Sequence, residues 1–255
     1  MGKHPLPKLW RVLLPLAVWL GLWWALAAWV DQSLLLPTPW QVLARLGTLA
    51  VTGPFWTTCL TTLGRVFLGG GLGIAAGFAL AALGARFDWC AAIFTPAVKV
   101  IRATPVASFI ILIWLWASAA WVPVVIAALM AAPIAWSATL QGIGEADPQL
   151  LELARVYRFS RWKTAKLVYL PAMENALAAG CRSALGFSWK AGVAAEALCR
   201  PRLAMGTAIW NAKTYLETPD LFAWTVAVVG LSIVVEKLLW ALWRRRGRRR
   251  PYGAA

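Results

Sequence analysis

Apolar stretches long enough to cross a lipid bilayer constrain this chain more than any other feature of its sequence. A membrane-spanning helix needs about 20 mostly apolar residues. Such stretches cover residues 9–30, 57–84, 90–117, 121–141, 174–199 and 220–243. In agreement, 61% of the 255 residues are hydrophobic and only 14% are charged, which is too little charge for the surface of a soluble domain. The sequence predicts an all-α, polytopic membrane protein with about six transmembrane helices.

The basic residues are distributed unevenly among the predicted loops. Of the 25 Lys and Arg residues, fifteen fall in the N-terminal segment, at Arg86, in the loop 142–173 and in the tail 244–255. Four fall in the loops of the other side, and six fall within or beside the spans. Because cytoplasmic loops are enriched in Lys and Arg, we expect both termini to be cytoplasmic. This topology accounts for the net charge of +15 without nucleic acid as a partner.

The cysteine and histidine content argues against metal and triad chemistry. The four cysteines form no CxxC pair, and His4 is the only histidine. A His-based zinc site or a Ser-His-Asp triad therefore lacks its residues. We expect no catalytic residue and no metal site in this chain.

The second apolar stretch carries the glycine-rich run GGGLGIAAG. No GK[ST] follows it, as a phosphate-binding loop would require. Gly69, Gly73 and Gly77 instead repeat every four residues, which places them on one face of a helix where small residues allow close approach of two backbones. We expect them to form a helix-packing face.

The stretch 90–117 is longer than one untilted span requires and contains Pro96, Lys99, Arg102 and Pro105. This pattern predicts a broken or interfacial helix followed by the true span. Charged residues inside a membrane usually face a bundle interior or water, although long cationic side chains also extend to the headgroups. Lys99 and Arg102 are therefore either pathway residues or interfacial ones.

A basic block, ELARVYRFSRWKTAKLVYLPA at residues 152–172, separates two apolar stretches. Asp147 before Pro148 predicts a helix start, Ser160 predicts the cap of a second short helix, and Pro171 predicts its end. Two short amphipathic helices joined by a turn would form a compact cytoplasmic projection. Its apolar side and basic rim suit docking into a groove on a soluble partner.

The block resembles the EAA loop of binding-protein-dependent ABC importer permeases. That pattern is Glu-Ala-Ala, three residues, Gly, nine residues, an aliphatic residue, one residue and Leu-Pro. The matching positions are Glu152, Leu153, Ala154, Arg158, Val168, Leu170 and Pro171. Leu153 replaces an Ala, and Arg158 replaces the Gly that adopts a left-handed turn without cost, so we expect either a different turn or backbone strain.

Four further motifs are similar, in their order, to the nitrate, sulfonate and taurine branch of these permeases. They are LPTP at 36–39, Arg65 in TTLGRVFLG, RATP at 102–105, and GFSWKAGVAAE at 186–196. The resemblance implies the type I (MetI-like) fold, with an N-terminal span and external amphipathic segment at 1–56. It further implies a permease domain at 57–243 with a coupling loop at about 145–172, and a basic tail at 244–255.

The resemblance implies a permease subunit in the bacterial plasma (inner) membrane that forms the translocation path for a small solute. Its expected partners are a second permease copy in a homodimer, two cytoplasmic ABC ATPase subunits and an external solute-binding protein. ATP and Mg would be bound by the ATPases, and this chain would bind no cofactor. The chain itself is expected not to be an enzyme.

The resemblance also implies the candidate site residues. Those expected to couple to the ATPase are Glu152, Ala154, Arg155, Tyr157, Arg158, Ser160, Leu170 and Pro171. Those expected along the translocation path are Arg65, Arg102, Pro105, Arg182, Trp189, Lys190 and Glu196. The cations among them favour an anionic or electronegative solute, since cations in spans often line a route.

Two other classes of protein are weighed against this interpretation. A stand-alone secondary transporter or channel would show inverted repeats or paired broken helices, and the sequence gives no convincing repeat. A membrane-embedded lipid-modifying enzyme would need a carboxylate, His or Cys constellation in its cytoplasmic loops. Glu145 and Asp147 are better explained as loop and helix-cap residues.

Overall fold

The computed structural model describes residues 10–247, and every regular element in that range is helical. The helices are α1 (Trp10–Val30), α2 (Pro39–Ala50), α3 (Gly53–Arg86), α4 (Asp88–Ala103), α5 (Val106–Trp114), α6 (Val122–Gly144), α7 (Pro148–Val156), α8 (Arg161–Thr164), a π-helical turn (Ala165–Tyr169), α9 (Leu170–Cys199), α10 (Met205–Thr214) and α11 (Thr218–Gly247). His4 and the tail beyond residue 247, both of which entered the expectations above, lie outside the described residues.

The all-helical membrane fold predicted from the sequence is confirmed. Within the described residues, α1, α3, α6 and α11 are each long and apolar enough to cross a membrane. The helices α4 and α5 are bent by 105° relative to each other at the break that contains Pro105. They make a fifth span if they cross the membrane together. The remaining predicted span, 174–199, is part of the 30-residue helix α9, whose charged residues make it less apolar than the others.

The chain divides into two compact units. The smaller unit comprises residues up to 57 together with 208–229. In it Thr38 caps α2 through a capping box with Gln41, and Arg45 forms a two-pronged ion pair with Asp220. The hydrogen bond with Asp220 raises the pKa of Arg45 above its ordinary value.

The larger unit comprises residues 58–207 and 230 onward and is centred on α6 packed against α9. Both helices present small side chains at their contact. A Cβ built on Gly180 of α9 would collide with the Cβ of Ala138 on α6. Ile126 on α6 and Ala195 on α9 are completely buried and join Ile110 of α5 in one apolar cluster. The core of this unit therefore depends on close backbone approach.

The predicted glycine face of α3 lies against α6. A Cβ added to Gly73 would fall 2.8 Å from the Cα of Ala128 on α6. A Cβ added to Gly69 would fall 2.9 Å from an alanine Cβ of α6, and one added to Gly77 would fall 2.8 Å from another. A Cβ added to Gly71, on another side of α3, would meet no neighbouring atom within 4 Å. The spacing of four residues thus identifies the side of α3 that contacts α6.

Candidate functional site

The basic segment, residues 145–172, begins with a well-capped helix. The Asp147 carboxylate accepts a hydrogen bond from the Gln149 amide at 2.8 Å, and Pro148 occupies the first turn of α7. Both features stabilise a helix start. The Ser160 hydroxyl accepts from the Lys163 amide at 3.3 Å and begins α8. The two helix starts predicted at Asp147 and Ser160 are therefore confirmed.

Pro171 has a different place from the one predicted. It does not end the second helix, because the chain continues from α8 through the π-helical turn into α9, and Pro171 lies in the first turn of α9. A proline inside a regular α-helix removes one hydrogen bond and clashes with the carbonyl four residues earlier. The wider π-helical turn just before Leu170 is the kind of local adjustment that accommodates such a residue.

Arg158 adopts the left-handed conformation that the family pattern assigns to glycine, with φ of 48°. Its amide donates to the Arg155 carbonyl at 3.0 Å, and the Phe159 amide donates to the Ala154 carbonyl at 2.8 Å. This pair of bonds is a Schellman motif, which satisfies carbonyls at a helix end. The family turn is therefore retained, at the backbone cost of placing a non-glycine residue there.

Ala154 is buried, with 4% of its surface exposed. It forms a small apolar cluster with Ala146 and Val168, against which Phe159 and Tyr169 pack. Its small side chain allows the turn of the basic segment to close on α7.

The surface of the basic segment combines exposed apolar and charged side chains. Val156, Tyr157 and Trp162 are 78%, 67% and 78% exposed, and Glu152 and Arg155 are also exposed. Tryptophan, tyrosine and arginine are the residues that contribute most at protein interfaces. Sequence reasoning missed Val156 and Trp162, although an apolar residue flanked by Arg161 and Lys163 was a visible signal.

Arg65 and Glu196, both translocation-path candidates, are joined in one buried polar network. Glu196 is completely buried and accepts hydrogen bonds from the Thr62 hydroxyl at 2.9 Å, from Arg65 at 3.2 Å and from the Gly206 amide at 3.3 Å. The Arg65 guanidinium also donates to the carbonyls of residues 202 and 203. The network thus ties α3 and α9 to the loop 200–204 and to the start of α10.

A cavity of about 1070 Å³ lies among α3, α9 and the second half of α11. Arg182, Trp189 and Lys190 line it together with Glu236, and Arg182 pairs with Glu236 at 2.6 Å. The indole nitrogen of Trp189 is buried and has no hydrogen-bond partner within residues 10–247. In the same range no carboxylate lies within ion-pair distance of Lys190.

The other two path candidates lie elsewhere. Arg102 donates to the Pro133 carbonyl at 3.0 Å and to the Ser137 hydroxyl at 2.6 Å, which attaches α4 to α6. Pro105 occupies the break between α4 and α5. The structure therefore brings together three of the seven path candidates in one cavity. Among the described residues, no group of three or more His, Cys, Asp or Glu side chains is arranged to hold a metal ion.

Comparison with known proteins finds relatives that are all named as permease proteins of transport systems. A protein of Brucella melitensis, provisionally named an ABC transporter permease protein, is 29% identical over 234 residues, which cover 91% of this chain and 94% of the relative. The Escherichia coli protein provisionally named aliphatic sulfonates transport permease protein SsuC is 28% identical over 87% of this chain and 86% of its own length. The bicarbonate transport system permease protein CmpB of Synechococcus elongatus is 27% identical over 42% of this chain and 38% of its own length.

The family model of the binding-protein-dependent transport system inner membrane component matches residues 70–246. This range contains α6, α9, the basic segment and most of the cavity described above. The match covers well over half of the chain. The chain therefore belongs to the family of binding-protein-dependent transport system inner membrane components and is a multi-pass permease subunit of an ABC importer.

Proposed function

We propose that this permease conducts a small anionic solute through the cavity lined by Arg182, Trp189 and Lys190. The observation that carries the proposal is the exposed Lys190 on the wall of this cavity, which has no carboxylate within ion-pair distance among residues 10–247. A cation within a span that faces an open cavity can attract an anionic solute.

The cavity lining carries Glu174 and Glu236 as well as Arg182 and Lys190, and because Arg182 pairs with Glu236, the support for an anion comes from Lys190. Ionisable groups within a span are costly and usually face water or protein. The exposed Lys190 has no carboxylate partner in the described range. Its ammonium lies 5.9 Å from the centre of the Phe187 ring, a contact that does not neutralise the charge. It is therefore available to a passing anion. The solutes named for two relatives, a sulfonate and bicarbonate, are anions.

A second copy of the chain would complete this path. In one chain the cavity is open where Phe187, 57% exposed, and Lys190 face outward. A homodimer would cover this opening and present two sets of cavity residues to one route. A pathway between two helix bundles can open alternately to either side by rigid-body motion of the bundles. We assign the solute supply to an external binding protein.

The energy would come from two cytoplasmic ATPase subunits that bind ATP and Mg and dock on the basic segment. The positive-inside rule places this segment and both termini in the cytoplasm. Its exposed Glu152, Val156 and Trp162 give an ATPase groove a mixed apolar and charged surface. Leu170 and Pro171 then connect that surface directly to α9, which lines the cavity.

Replacing Lys190 by alanine is expected to lower anion uptake about tenfold or more, because a hydrogen bond to a charged group contributes about 1.5–3 kcal/mol. The test measures uptake of labelled alkanesulfonate, nitrate and bicarbonate by cells that express the whole importer. Lys190→Arg, which keeps the charge, should retain most uptake. Membrane content of each variant is measured as the control. Wild-type uptake by Lys190→Ala, or uptake of none of the three anions by the wild type, would contradict the proposal.

A further inference from the structure

The turn at Arg158 does more than end α7. Arg158, in the left-handed conformation that ends α7, lines the same cavity as Arg155. This cavity has a volume of about 320 Å³, and its other walls include Ala154, Phe159, Thr164 and Tyr169. A glycine at 158 would give the same turn without this charge.

The cavity is cationic and has no internal counter-ion. None of its lining residues is acidic, and no ion pair of Arg155 or Arg158 occurs within residues 10–247. The Lys163 ammonium lies 4.0 Å from the centre of the ring of Phe159, which lines the cavity, and adds a third positive charge nearby. Two arginines on one cavity suit a carboxylate, which arginine binds through paired hydrogen bonds.

We propose that the ATPase partner inserts an acidic side chain between Arg155 and Arg158. This inference rests on the proposed docking of an ATPase on the basic segment. Glu152 on the same helix is exposed and would meet a basic group of the partner. The segment therefore pairs with its partner through charges of both signs, and complementary charge patterns of this kind select the correct partner and suppress wrong ones.

The surroundings favour a protein carboxylate over an anionic lipid headgroup. An anionic membrane surface would bring like charge to the exposed Glu152, whereas a folded partner can present an acid to the arginines and a base to Glu152. The adjacent Val156, Tyr157 and Trp162 are exposed and supply the apolar area that a protein interface buries around its charged contacts.

The test compares variants of residue 158 in the full-length chain held in phosphatidylcholine nanodiscs. The partner is the Walker-motif ATPase that co-purifies with the tagged wild-type chain, identified by mass spectrometry and then purified. Arg158→Gly keeps the left-handed turn and removes the whole side chain with its charge, and we expect it to weaken ATPase binding on the order of tenfold or more. Arg158→Glu should weaken binding further. Lys166→Gln, which removes an exposed basic residue outside the cavity, is the matched control and should change binding less than about threefold.

Rescue identifies the acidic partner group. A lysine substituted for one acidic residue of the ATPase groove should restore binding to Arg158→Glu while weakening binding to the wild-type chain. Wild-type affinity of Arg158→Gly would overturn the inference. So would an effect of Arg158→Gly that is present only when phosphatidylglycerol is added, since the cavity would then hold a lipid headgroup.

A further pair of variants separates this inference from the proposed function. If Glu152→Lys and Trp162→Ala lose ATPase binding while Arg158→Gly keeps it, docking on the basic segment stands and only the acid-binding cavity is wrong. If none of the three variants loses binding, both the cavity and the docking site are wrong.

Discussion

Replacing Gly73 by leucine is expected to leave little folded protein in the membrane. The atoms that a side chain at this position would meet are the backbone atoms of Ala128 in α6, with the Cα 2.8 Å from the added Cβ. Overpacking usually costs about 1–3 kcal/mol, and backbone atoms in a central helix cannot rotate away as a flexible side chain can. The yield of monodisperse protein after detergent extraction measures the effect.

Gly71→Leu is the matched control for that substitution. It adds the same side chain to the same helix, where nothing lies within 4 Å of the added Cβ. Near wild-type yield of Gly71→Leu with almost complete loss of Gly73→Leu is the expected pattern. Equal yields of the two variants would show that the α3–α6 contact is not as close as the structure has it.

Replacing Glu196 by alanine is expected to be the second severe change. It removes the acceptor of three hydrogen bonds and leaves the mostly buried Arg65 without its carboxylate. Breaking a buried ion pair on one side typically costs about 3–5 kcal/mol. We expect a large fall of the apparent Tm in detergent, accompanied by faster proteolysis in the loop 200–204, which the network holds in place.

The control is the exposed ion pair of the same unit. Glu236→Ala breaks the pair with Arg182, and the side chains of Arg182 and Glu236 are 58% and 50% exposed. Exposed pairs contribute about 0–1 kcal/mol, so the Tm should change little. Similar Tm shifts for Glu196→Ala and Glu236→Ala would contradict the structural role assigned to the buried network.

Sequence periodicity predicted the parts of the fold that depend on regular helices. Gly69, Gly73 and Gly77 share a face because four residues are slightly more than one turn of a helix, and no tertiary information is needed to see it. The starts at Asp147 and Ser160 are likewise local, since capping depends on the next three residues. Pro171 was misplaced because the π-helical turn that admits it depends on the whole stretch from α8 to α9.

The candidate site was less predictable because its contacts are distant in sequence. Arg65 and Glu196 were each recognised, but they are 131 residues apart, and no local pattern shows that one satisfies the other. Nothing near Arg182 indicates its pairing with Glu236 on α11. Ala154 illustrates the same limit, since a small residue on an amphipathic helix fits an interface with a partner as well as contact with Val168.

Docking of an ATPase on the basic segment is tested most directly by the affinity of the purified ATPase for the full-length permease and two surface variants. Glu152→Lys puts a like charge against a basic groove, and Trp162→Ala removes an exposed indole, which is a frequent interface hot spot. Each should weaken binding by about tenfold or more, with membrane insertion unchanged. Trp116→Ala, at an equally exposed tryptophan outside the segment, should bind as the wild type does. Undiminished binding by both Glu152→Lys and Trp162→Ala would show that the ATPase does not dock on residues 145–172.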